Sequence, residues 1–456
     1  MVTIFLFALL WPLALMPTSK DIQPSIVKKL TMDDAVQRAL THRPDLEALR
    51  YATQAWESAA KSERAGYFPT IDLASNISQS NGENDIDSDT DITVKQQIYS
   101  FAGPLQKYQR AKKIAQVSEL DKVIETNKTR LETEKTFLSA WLIQEKKKSI
   151  AALDKSSQST FERQKHRNEL EKLDKDEWIK NVADYASSVA QVDQYKDDVI
   201  IAYKKLEFLM GESLSLLSES NEDSEVEQSL PKTRLIWNYK KKYKPESLDT
   251  YYHYAITSRP EVPQGLKKME IEKWNIRLAQ GARLPEINAS ANVGCLTNPN
   301  DAFVLVPTTS PEVEMNTRQR AIRPYWELSV SLNWSIFDGL VTQYREQQAE
   351  ADKVKEMLRH EQVILDVKQQ VHERYYSLVK MLKQLRAQKL KYIHGKNHFK
   401  LMKQQLDLGK ISQVDLDAAS SDWKTVQFNW LTYNVDLALT EHELMWACGY
   451  TKMNKD

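Results

Sequence analysis

Between Tyr325 and Ser335 apolar and polar side chains alternate: Trp326, Leu328, Val330, Leu332 and Trp334 fall on one side, Glu327, Ser329, Ser331, Asn333 and Ser335 on the other. A period of two puts each set on its own face of a β-strand. From Pro285 to Gly294 the same rule sets Ile287, Ala289, Ala291 and Val293 against Glu286, Asn288, Ser290 and Asn292. Ile71, Leu73 and Ile77, then Ile92, Val94 and Ile98, mark two weaker strands. The pattern thus predicts strands at about 70–78, 91–101, 285–294 and 325–337. The rest of the chain is helix-patterned. No Gly or Pro lies between Pro104 and Gly211, and from Leu340 to Cys448 there is no Pro and only Gly395 and Gly409. Each breaker-free stretch predicts a helical hairpin, at 104–210 and 340–447. An arm of about 60 residues would be roughly 90 Å long, more than a globular core needs.

The elements recur. Ala39-Leu40, Arg43-Pro44-Asp45, Gly66 and Pro69 are answered by Ala255-Ile256, Arg259-Pro260-Glu261, Gly281 and Pro285. The alternating stretches end at Phe101-Ala102-Gly103 and Phe337-Asp338-Gly339, and the hairpins close at Gly211 and Gly449. Such a long period reads as two equivalent halves, 30–211 and 251–449, joined by a connector at 212–250.

A strand of about 9 to 11 residues with one apolar and one polar face suits a transmembrane β-barrel, in which every backbone group must be paired without water. Alternation alone also fits a half-buried soluble sheet. Aromatics at the strand ends, among them Tyr67, Phe68, Tyr99, Phe101, Tyr325 and Phe337, favour a membrane girdle. Four strands cannot close a barrel with a lumen, so oligomerisation must supply the rest. The connections, about Gln79–Asp91 and Leu296–Pro324, read as solvated loops. The acids Asp85, Asp87, Asp89 and Asp91 do not complete an EF-hand, because Thr90 and Gln96 stand where Gly and Glu are needed.

Met1 to Met16 is uncharged and apolar except for Thr3 and Pro12, too short to span a bilayer, and reads as the core of a signal peptide over 1–19. A formal net charge of zero offers no basic surface that would suggest nucleic acid. Cys295 and Cys448 are the only cysteines, and sequence leaves their pairing open. No enzyme constellation emerges, and neither a metal site nor a cofactor is expected. His394 and His398 share a helix face, but Gly395 stands where a zincin needs Glu.

Taken together, the duplicated order and the segment Leu408-Gly409-Lys410-Ile411-Ser412-Gln413-Val414-Asp415 resemble the TolC family of outer-membrane efflux proteins over about residues 30–450. The resemblance implies a mixed α and β fold. It would be a homotrimeric β-barrel in outer-membrane lipid, four strands from each chain, continued by a long periplasmic α-helical barrel. The implied function is the exit duct of a tripartite efflux or type I secretion system, with a periplasmic adaptor (membrane fusion protein) and an inner-membrane pump as partners. The implied location is the cell outer membrane, extending into the periplasm. Trp326, Leu328, Val330, Leu332 and Trp334 would then face lipid.

Residue by residue, Gly409 and Ser412 match the family's adaptor-docking tip, and Asp415 its acidic periplasmic entrance. In the first half Glu171 and Asp174 take the glycine and hydroxyl slots. A second acid after Asp415 is missing: Ala418 stands there, with Asp417 on another helix face. Read from the residues alone, Ser412 and Asp415 have capping-box spacing at a helix start. The alternative function is a non-transporting periplasmic coiled-coil scaffold, in which the alternating stretches form a soluble sheet.

Overall fold

Two Arg-Pro pairs set the first breaks in the chain. The residue before proline is driven out of helical geometry, and proline itself is tolerated in a helix's first turn. In the computed structural model, which describes residues 29–79, 86–170, 174–212, 233–238, 245–298 and 321–449, α1 (Met32–His42) stops at Arg43, with φ −76° and ψ 119°, and α2 (Pro44–Ala65) begins at once. Likewise α5 (Leu248–Ser258) stops at Arg259, with φ −72° and ψ 129°, and α6 (Glu261–Gly281) follows Pro260. Thr31 and Asp34 form a capping box at the start of α1, and Ser247 caps α5. After each pair come two strands, β2 (Thr70–Gln79) with β3 (Ile86–Tyr99), and β5 (Glu286–Asn298) with β6 (Ala321–Asn333). Each strand pair leads into two long helices, α3 (Pro104–Glu169) with α4 (Lys175–Met210), and α7 (Val341–Asp407) with α8 (Gln413–Ala447). A short parallel ladder pairs β1 (Lys29–Thr31) with β4 (Arg234–Ile236). No described helix is long and apolar enough to cross a membrane.

The chain forms two compact units, each drawn from three stretches. The first takes Met1–Arg43, Thr129–Tyr243 and Lys380–Thr440. Its core joins Leu30, Phe137, Leu138, Tyr195, Leu206 and Leu235, all essentially without solvent contact. Gln144 acts there as a surrogate strand: its amide accepts from Leu235 N–H at 2.9 Å and donates to Leu235 C=O at 3.1 Å. Tyr203 donates to Gln144 Oε1 at 2.9 Å, and burial pushes its hydroxyl pKa well up.

The second unit takes Pro44–Lys128, Lys244–Val379 and Glu441–Asp456. Tyr251, Ala255, Val371, Leu378 and Leu444 are buried in it, as is the Cys448 thiol, which burial pushes up to about 12. No disulfide joins the two cysteines: Cys295 is exposed and Cys448 buried. Arg259 is a buried charge with full compensation. Its guanidinium donates to Glu261 at 2.8 and 3.2 Å and to Gln370 at 2.6 Å, and stacks 4.7 Å from the Trp446 ring. Such pairing is what permits a charge to be buried.

The strand bounds depart from the alternation pattern. The expected loop 79–91 is strand from Ile86 onward, because Ser88 to Asp91 pair with β2 on one side and β5 on the other. Backbone pairing on two sides outweighs the poor strand propensity of Asp. Leu296–Asn298 and Ala321–Pro324 likewise belong to strands, paired with each other. Pro324, which lacks a donor, is accommodated because β6 lies at the edge of the sheet. At the other end β6 stops at Asn333, four residues before the expected 337, because its partner β5 begins only at Glu286. The signal segment 1–19 and most of the connector 212–250 lie outside the described residues.

Candidate membrane face and helix-turn tips

Register turns four alternating strands into two continuous faces. The sheet order is β2-β3-β5-β6, all antiparallel. One row runs Leu73, Ile92, Val293, Trp326, and the next runs Ile71, Val94, Ala291, Leu328. On the opposite face the rows run Asp72, Thr93, Asn292, Glu327 and Thr70, Lys95, Ser290, Ser329. The polar rows are cross-linked. Thr93 and Asn292 are hydrogen-bonded at 2.6 Å, Ser290 and Ser329 at 2.7 Å, and Lys95 reaches Asp72 at 3.4 Å. Much of the apolar face is exposed in the single chain: Trp326 is 79%, Leu328 71%, Val330 70% and Leu332 61% exposed. Trp334 lies one residue beyond β6, and its indole N–H donates to the Arg283 carbonyl at 3.0 Å. Gly294 faces Tyr325 across the ladder, with the phenol ring where a side chain would stand.

In the first unit the α7–α8 turn is built entirely from helix-end chemistry. Gly409, at φ +67°, ends α7 in the left-handed region. Its N–H donates to Leu406 C=O at 2.8 Å, and Lys410 N–H to Gln405 C=O at 2.9 Å, the two bonds of a Schellman motif. Ser412 then caps α8. Its hydroxyl accepts from Asp415 N–H at 3.3 Å and donates to the Asp415 carboxylate at 2.6 Å, which also accepts from Ser412 N–H at 3.0 Å. Those Ser412 bonds, aided by Arg163, hold the Asp415 carboxyl below the usual aspartate range. At the α3–α4 turn Asp174 caps α4 by accepting from Lys175 N–H at 2.8 Å, and Glu171 lies outside the described residues.

Asp417 has a different role from its neighbour. It is nearly buried and accepts from Lys155 at 3.3 Å, tying α8 to α3. Nothing in the local sequence pointed to that pairing across more than two hundred residues. His394 and His398 are exposed with rings 6.3 Å apart, and among the described residues no group of three or more His, Cys, Asp or Glu is placed to hold a metal.

The family model for outer membrane efflux proteins matches residues 252–450. The match lies in the second half of the chain. No curated protein matches the chain. Solved structures match nearly all of it. The Campylobacter jejuni CmeC outer membrane channel is 14% identical, with a TM-score of 0.72 over 97% of this chain and 92% of that one. The open state of the Neisseria gonorrhoeae MtrE outer membrane channel is 14% identical at TM-score 0.67, covering 92% and 88%. The Vibrio cholerae outer membrane protein VceC is 12% identical at 0.66, covering 92% and 96%. The chain therefore has the fold of these channels, and the likeness to the TolC family read from its motifs agrees with the efflux family match. Neither the family nor its structural neighbours are enzymes.

Proposed function

We propose that this protein is an outer-membrane exit duct, a homotrimer in which four strands from each chain complete one twelve-stranded barrel above an α-helical tunnel through the periplasm. The observation that carries it is the exposed apolar face of the sheet. A soluble sheet leaving Ile71, Leu73, Val293, Trp326, Leu328 and Val330 uncovered would aggregate, whereas hydrocarbon is the medium such a face suits. The sheet also ends in two open edges, β2 and β6, whose backbone groups need partners inside a bilayer. Neighbouring copies supply them. The efflux family match and the shared channel fold support the same reading.

In this duct Asp415 of three chains forms a carboxylate ring at the periplasmic entrance. An aspartate is ionised at neutral pH, and a ring of carboxylates favours cations. The tips at Gly409, Ser412, Asp174 and Glu171 receive a periplasmic adaptor, which couples the duct to an inner-membrane pump for efflux or type I secretion. Membrane fractionation followed by unheated gel electrophoresis tests the core of the proposal: the protein should run in the outer-membrane fraction as a trimer that heat converts to monomer. Recovery as a soluble periplasmic monomer would overturn it in favour of the scaffold.

A further inference from the structure

Helices α7 and α8 enclose a groove well away from the turn that joins them. Its volume is about 510 Å³, within the range of small-ligand clefts, and it lies wholly in the first unit. Register within the antiparallel pair fixes what stands where. A methyl on Gly395 of α7 would meet Val426 of α8 at 3.1 Å. Lys391, four residues before Gly395, is therefore level with Trp430, four after Val426. Asp436 lies six residues further along α8, about 9 Å at 1.5 Å per residue.

The groove thus has a cation at one end and a carboxylate at the other. Among the described residues neither Lys391 nor Asp436 makes an ion pair, with the other or with anything else. Asp436 is half-buried, and that burial pushes its carboxyl above the usual aspartate range. Gln388 and Tyr433 stand between the two ends, with Asn429 and Gln384 beside them. The three amides have no side-chain hydrogen bond among the described residues. Trp430 forms the wall near Lys391, its ring held from behind by Tyr392 at 5.6 Å between centroids.

The sequence of α8 says which way the groove opens. Asp415, Asp422, Asn429 and Asp436 follow one another at seven-residue steps and so share one face of the helix. Helix α3 meets α8 at Asp417, about 200° round from Asp415. The stripe is left uncovered by α3, and its first three members are exposed.

We infer that this groove is a subsite for short zwitterionic peptides on the tunnel wall, taking their ammonium end at Asp436 and their carboxylate end at Lys391. The inference rests on the duct reading for one point: with Asp415 at the tunnel entrance, the stripe that it begins faces the tunnel. An extended peptide advances about 3.3–3.6 Å per residue, so three residues bridge two charges that a single amino acid cannot. Gln388 and Asn429 offer donors and acceptors to its peptide groups, and Trp430 and Tyr433 offer flat surface to its side chains. A plain organic cation would leave Lys391 unopposed, and a plain anion would leave Asp436 unopposed.

The test uses purified full-length protein in detergent, with binding followed by titration calorimetry. The probes are the free tripeptide alanyl-phenylalanyl-alanine, its N-acetyl form and its C-amide form. The free tripeptide should bind, and each blocked form should bind about threefold more weakly, the size expected of a half-exposed charge pair. Asp436→Asn should weaken the free tripeptide by a similar factor and leave the N-acetyl form as it was. Lys391→Gln should do the same with respect to the C-amide form. Should a variant lose its helix content by circular dichroism, the blocked peptides on the parent decide alone. Free and blocked peptides that bind alike, or a free tripeptide that does not bind at millimolar concentration, would overturn the inference and leave the duct intact. In planar bilayers the free tripeptide, added from the periplasmic side, should produce current fluctuations that Asp436→Asn reduces. Calorimetric binding with an undisturbed current would set the groove off the tunnel and overturn the inference on that ground. A protein that never forms a conducting trimer would sink the duct, and the placement on its wall with it.

Discussion

Gly211 and Gly449 share their backbone conformation with Gly409, yet the three are not constrained alike. Their φ values are +67°, +81° and +67°. A methyl on Gly211 would stand 2.9 Å from the His42 carbonyl oxygen, and one on Gly449 2.8 Å from the Ser258 carbonyl. At Gly409 nothing lies within 4 Å. The first two therefore need glycine for its left-handed freedom and for its missing side chain. Gly409 needs it for the first reason alone. His42 and Ser258 each end the helix before an Arg-Pro pair, so the closing glycine of each half rests on an equivalent corner. A conformational demand can be met anywhere along a chain. A packing demand needs a particular neighbour.

That difference can be broken by substitution. Gly449→Ala and Gly211→Ala should each cost about 2–5 kcal/mol, combining roughly 1–2 for the left-handed backbone with about 1–3 for overpacking. Thermal unfolding followed by helical circular dichroism measures it, and a loss no greater than that of Gly409→Ala would erase the distinction.

The sheet offers the same contrast between a side chain with a neighbour and one without. Leu328→Arg should cost about 2–4 kcal/mol if the exposed face meets hydrocarbon, and Ser329→Arg on the polar face much less. Folding yield in lipid vesicles reads both. Equal losses would mean that protein covers both faces.

At the α7–α8 turn smaller effects are expected. Gly409→Ala should cost about 1–2 kcal/mol, and Gly409→Asn less, since Asn tolerates the left-handed region. Ser412→Ala should cost about 1 kcal/mol through the lost cap. The same unfolding assay compares all three.

The mildest effect concerns pH. Because the folded Asp415 carboxyl sits below its ordinary value, its contribution is present above that value and disappears as pH falls through the folded one, below about 4. Thermal midpoints between pH 5 and 2 should therefore show a shallower acid loss in Asp415→Asn than in the parent. In assembled duct, Asp415→Ala should abolish block by a trivalent cation added from the periplasmic side of a planar bilayer, with the open conductance nearly unchanged. Block as strong as in the parent would leave Asp415 as a helix cap and nothing more.

Much of this was legible in the residues. The unbroken alternation of Trp326 to Leu332 named a two-faced strand, and Ser412 with Asp415 named a capped helix start, because both depend on periodicity and on hydrogen bonds a few residues long. The extension of β3 back to Ile86 was not legible. Its Asp-rich segment has turn composition, and only pairing on both sides makes it strand.

By itself the sequence determined where helices stop, at Arg43-Pro44, Arg259-Pro260, Gly211, Gly409 and Gly449, and which side of each strand is apolar. These follow from backbone sterics and from the period of side chains along a single element. Only the tertiary structure decided that Asp417 meets Lys155 and that Arg259 is buried against Glu261, Gln370 and Trp446. Such pairings join residues tens to hundreds of positions apart. No local periodicity records them, because they are set by which surfaces come together when the chain packs.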